Sequence, residues 1–123
     1  MDEAYAAHEF VLARYGGLTG TRDRGALESA LARPYCGYYL RIEKKAAALV
    51  QSITMNHGFV DGNKRTALMM LGILLSRSGY ALVFPTTASM NQQLEAMVLA
   101  VAEHEIDFDG IAAWIKARLI KLS

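Results

Sequence analysis

The chain has 123 residues, 53% of them hydrophobic and 20% charged, with a formal net charge of +1. That length suits one domain, residues 1–123, able to bury a core without staples, and the composition excludes an unfolded, strongly charged chain. The near-neutral balance argues against a wholesale nucleic-acid binder, which needs a basic excess.

The single cysteine, Cys36, has no partner for an internal disulfide and no cysteine neighbours for zinc. A reducing cytoplasm is the expected compartment. No apolar run approaches the ~18 residues of a membrane span, and no basic segment followed by an apolar core opens the chain. Neither export nor a membrane is expected.

Taken in order, the apolar spacing is helical almost throughout. Tyr5, His8, Val11, Leu12 and Tyr15 fall on one face, and Gly16-Gly17 ends the helix. His8 lies in that apolar stripe and is read as a core histidine. Asp23 is the expected N-cap of a second, short helix that stops before Pro34, with Ala26, Leu27, Ala30 and Leu31 facing inward. Tyr35 to Arg41 loses the helical spacing, and a short extended or hairpin segment is expected there. Helical spacing resumes from Ile42 to about Asn56. Asn63 to about Ser78 is apolar on nearly every side and is expected to be the central, wrapped helix.

Tyr80 to Phe84 is β-prone, closed by Pro85, and is read as a linker rather than a sheet. Ser89 with Gln92 has the pattern of a capping box for the next helix, whose inner face is Leu94, Met97, Val98 and Val101. His104 falls at the polar end of that helix. Asp109 is the expected cap of a last helix that buries Ala112, Ile115 and Leu119. An all-α fold follows, a compact bundle of about six helices with a central buried helix.

The chemistry is concentrated in His57-Gly58-Phe59-Val60-Asp61-Gly62-Asn63-Lys64-Arg65-Thr66. A polar stretch there empties into the first turn of an apolar helix. Helix N-termini carry free N–H groups and partial positive charge, a natural seat for phosphate. Gly62 lets backbone approach a ligand, and Asn63, Lys64 and Arg65 add donors and charge at the same point. Asp61 is a candidate ligand for a divalent cation, or a helix cap, or both. His57 is a candidate general base near neutral pH. Phe59 has no chemistry and is read as the plug that positions its neighbours.

This decapeptide resembles the H-x-F-x-[DE]-G-N-[GK]-R pattern of the Fic/Doc superfamily at His57, Phe59, Asp61, Gly62, Asn63, Lys64 and Arg65. The stretches Tyr15 to Leu18 and Gly25 to Pro34 also resemble N-terminal blocks of Doc-type proteins. AMP-transferring Fic enzymes usually have proline at the place of Gly58, glycine at Lys64 and a second arginine at Leu68. The lysine version looks like the Doc (death on curing) branch, toxins of bacterial toxin–antitoxin pairs that phosphorylate translation elongation factor Tu.

The resemblance implies a Fic/Doc-type bundle with a short hairpin-like flap at residues 35–41, although these tyrosines could simply cover the core. It implies ATP as co-substrate with Mg2+ on Asp61, and His57 as the base for a Ser/Thr hydroxyl. Gly62, Asn63, Lys64 and Arg65 would bind the nucleotide, with Lys64 and Arg65 also serving catalysis. A lysine where glycine would leave room for phosphates implies a nucleotide that presents its terminal phosphoryl group. AMP transfer is the alternative, and a catalytically silent antitoxin-binding module is another.

No Ser or Thr is followed by Glu four positions later, so the [ST]-x-x-x-E-[GN] inhibitory helix of many Fic proteins is missing. The resemblance implies restraint from outside instead, by a Phd-type antitoxin whose disordered segment folds as a helix in a groove.

Overall fold

A computed structural model describes residues 2–17, 19–37, 39–56, 58 and 62–122. His57, Phe59 and Asp61 lie outside them. Six α-helices occur in the order α1 (Asp2–Tyr15), α2 (Arg24–Ala32), α3 (Ile42–Asn56), α4 (Asn63–Arg77), α5 (Thr87–Ala102) and α6 (Phe108–Arg118). A 3-10 turn, Arg33–Tyr35, extends α2, with Pro34 buried at a position that needs no backbone donor. The fold is the all-α bundle expected.

The central helix is α3, not α4 as the apolar run at 67–75 suggested. It packs against α2, the 3-10 turn, α4, α5 and α6. Ala46, Ala47, Ala48 and Val50 are fully buried along it. Three successive alanines let neighbouring helices approach from several sides, which bulky residues would prevent. On α4, Gly72 is exposed, and Leu68, Met69 and Ile73 are only partly buried, so one flank remains open.

Two helices start earlier than their sequence signals suggested. In α5 the N-cap is Thr86, whose hydroxyl accepts from the Ser89 N–H at 3.0 Å. In α6 it is Asp107, accepting from the Gly110 N–H at 2.8 Å. In each case a second capping-type residue two or three positions later is absorbed into the first turn. Asp23 caps α2 as expected, accepting from the Ala26 N–H at 2.9 Å.

The segment read as a linker pairs. β1 (Tyr80–Leu82) and β2 (Leu119–Lys121) are antiparallel, with Ala81 opposite Ile120. Further bonds close the ladder at both ends, Val83 N–H to Arg118 O and Leu122 N–H to Gly79 O. The partner strand lies beyond two helices, out of reach of any local pattern. Residues 35–41 begin in the 3-10 turn, and their other described residues carry no strand pairing. Among the described residues, no helix is long and apolar enough to cross a membrane.

Candidate active site

α4 begins at Gly62, whose φ of +78° is the left-handed conformation that glycine adopts without strain. The Gly62 carbonyl accepts the first helical bond from Thr66 N–H at 2.9 Å. Beneath Gly62 lie His8 and Val11 of α1. A Cβ at position 62 would stand 3.4 Å from both side chains. His8 is buried, as its apolar stripe indicated, and serves as part of the floor under this turn.

The turn opens onto a cleft of about 450 Å³, within the range of small-molecule sites, about 300–1,000 Å³. Gly62, Asn63, Lys64 and Arg65 all line it, so these four sequence-selected residues come together. His57 and Asp61, the selected base and metal ligand, fall outside the described residues. Arg22, just before the α2 cap, adds a third cation to Lys64 and Arg65, and Glu95 of α5 is the one carboxylate on the described wall. That balance favours an anion.

Arg65 is held in place by Tyr15: its guanidinium carbon lies 4.2 Å from the ring centroid, a cation–π contact at the end of α1. Leu68, Val98 and Leu99 supply an apolar wall. Leucine at 68 therefore faces the cleft where AMP-transferring relatives have a second arginine.

Thr54 also lines the cleft, from α3. Its residue is 1% exposed, and its hydroxyl has no hydrogen-bond partner among the described residues. Native proteins rarely leave such a group unsatisfied, because desolvating it costs about 1–3 kcal/mol. The orphan hydroxyl fits a site completed by a ligand or by water.

Sequence reading missed Arg22, Thr54 and Glu95. Arg22 and Glu95 reach the cleft only through helix packing. Thr54 had a local signal, a hydroxyl amid the apolar positions of a buried helix, which could have marked it.

Gly58 explains another departure from the AMP-transferring pattern. Its carbonyl accepts from the N–H groups of Arg22 at 2.8 Å and Asp23 at 3.0 Å, tying the start of α2 to the site. A Cβ there would meet Leu27 Cβ at 2.9 Å, too close for any side chain. This chain packs α2 against the backbone at that point, and proline would clash.

The Fic/DOC family model matches residues 1–75. Toxin Doc of Mycolicibacterium smegmatis is 38% identical over 104 residues, covering 80% of this chain and 78% of that protein. Protein kinase doc of Escherichia phage P1 is 30% identical over 115 residues, covering 90% and 86%. With the family model spanning the turn that opens α4 and a Doc relative 38% identical over 80% of the chain, this chain belongs to the Fic/Doc family.

Proposed function

We propose that the chain is the toxin of a bacterial toxin–antitoxin pair, a protein kinase that transfers the terminal phosphoryl group of ATP to a Ser/Thr hydroxyl. Elongation factor Tu is the proposed acceptor and translation the process stopped. The observation that carries the reading is the first turn of α4, where Asn63, Lys64 and Arg65 face a cleft beside Arg22. A helix N-terminus with three cations beside it suits a polyphosphate. The name of the phage P1 relative, a protein kinase, supports phosphoryl over adenylyl transfer. So does Leu68, an apolar side chain on the cleft wall where a pyrophosphate-binding arginine would stand.

In this reading Gly62 and Asn63 hold phosphate oxygens against the helix terminus. Arg65, steadied by Tyr15, stabilises charge that spreads over the transferring oxygens. Lys64 adds a point charge and occupies the space that would admit the α-phosphate. His57 takes the proton from the acceptor hydroxyl as its oxygen bonds to the γ-phosphorus and ADP leaves. Asp61 would hold the magnesium ion that accompanies ATP and neutralises phosphate charge. A Phd-type antitoxin is the proposed restraint, its segment folding as a helix in a groove.

Induced expression in a bacterial host tests this. Growth and protein synthesis should stop, a His57→Ala variant should be harmless while still binding the antitoxin, and co-expressed antitoxin should restore growth. Equal toxicity of the variant would contradict the enzymatic reading.

A further inference from the structure

A second pocket, about 420 Å³, lies where the 3-10 turn and the end of α2 meet the last turns of α3. Ser29, Arg33, Cys36, Ser52 and Asn56 line it. Its centre of charge is Arg33, whose side-chain partners among the described residues are all neutral. Nε donates to Tyr39 Oη at 3.0 Å, and Nη1 donates to Gln51 Oε1 and to Ser52 Oγ, both at 2.8 Å. The guanidinium carbon lies 5.6 Å from the ring centroids of both Tyr39 and Phe108. The ion pairs among the described residues involve Arg24, Arg41 and Arg77, not Arg33. Nη2 makes no hydrogen bond among them.

A part-buried, oriented guanidinium with no counter-charge among the described residues, bordered by hydroxyl and amide groups, is a receptor for an anion. One fixed cation with neutral donors matches one negative charge, so a carboxylate fits better than a phosphate dianion. Position indicates whose carboxylate. Ser52 and Asn56 share one face of α3, whereas Thr54, on the wall of the nucleotide cleft, lies about 200° around the axis. The end of α3 thus separates the two pockets, and His57 is the next residue in the chain.

We infer that this pocket is a carboxylate subsite that seats an acidic side chain of the protein acceptor, close to the hydroxyl that receives the phosphoryl group. It rests on the phosphotransfer reading above for the identity of its occupant. Specificity would then come from Arg33 on one side of α3, and energy from the nucleotide on the other.

Cys36, exposed and the chain's single cysteine, supplies a probe that needs no catalysis. Alkylation by iodoacetate, a carboxylate, is compared with alkylation by neutral iodoacetamide. The rate ratio in the folded wild type should exceed that of the urea-unfolded chain by about threefold or more, through local concentration of the anion. Ser29→Glu, on the exposed face of α2, places a carboxylate four residues before Arg33, where the two side chains pair. It should abolish the excess, and Ser29→Gln should not.

In phosphoryl transfer to elongation factor Tu, Ser29→Glu should raise the KM for the protein at least about tenfold above that of Ser29→Gln, the worth of one charge-assisted hydrogen bond. The KM for ATP should be the same in both. Equal alkylation ratios in folded and unfolded protein, or equal acceptor KM in the two variants, would overturn the subsite. If the wild type transfers no phosphoryl group, the phosphotransfer reading fails, and the alkylation ratio still decides whether the pocket gathers carboxylates.

Discussion

Arg65 stacks on Tyr15, 4.2 Å from guanidinium carbon to ring centroid, and so joins the first turn of α4 to the last turn of α1. Tyr15 is 53% exposed, so its burial adds little to stability. Its role is to hold an arginine that would otherwise sample many rotamers.

Tyr15→Ala should therefore slow transfer roughly five- to tenfold, the scale of one partly desolvated cation–π contact. Tyr15→Phe, which keeps the ring, should restore most of the rate. The melting temperature should barely move in either. Initial rates at saturating ATP, with a thermal melt beside them, check this.

The orphan hydroxyls make a pair of predictions. Thr54 and Thr66 are both buried, with no partner for Oγ1 among the described residues, but of the two only Thr54 lines the cleft. Valine at either position removes an unsatisfied group and should stabilise the fold by about 1 kcal/mol in urea unfolding. Thr54→Val should also weaken ATP binding severalfold by calorimetry, whereas Thr66→Val should not.

The helices were legible because their apolar stripes are local: α2 and α5 present the inner faces that periodicity indicates, whereas the stripe of α1 holds through Leu12 and fails at Tyr15, which is exposed. Which helix is central was not. The densest apolar run, Ala67 to Leu75, drew attention to α4, yet the helix with the most neighbours is the alanine-rich α3. Centrality depends on how closely backbones approach, and small residues allow that without looking hydrophobic. Capping was misplaced at Ser89 and Asp109 because Thr86 and Asp107, slightly upstream, satisfy the same chemistry. In the site, Gly62 to Arg65 could be selected because they are contiguous. Arg22, Thr54 and Glu95 join them from three other segments, and only the packing of α2, α3 and α5 brings them there.

The packing of α3 is open to a direct test. Ala47 is fully buried between neighbouring helices. Ala47→Leu should destabilise the protein by about 1–3 kcal/mol or leave it insoluble, since overpacking forces the helices apart. Urea titration followed by circular dichroism measures it.

Gly58 should tolerate nothing larger. Its missing Cβ makes room for Leu27, and its carbonyl receives two N–H groups from the start of α2. Gly58→Ala should cost about 1–3 kcal/mol through that overlap. Adding Leu27→Ala should relieve the clash, so the double variant should lose less than the two single losses combined. Additive losses would place the strain elsewhere.

Phosphoryl transfer from a nucleotide seated on the first turn of α4 is open to a direct test. The most direct measurement incubates the protein with magnesium, bacterial lysate and ATP labelled in parallel at the γ or the α phosphate. Protein label from γ-labelled ATP alone, abolished by His57→Ala, is the predicted result. Label carried over from the α phosphate would contradict it and make the protein an AMP transferase despite Lys64.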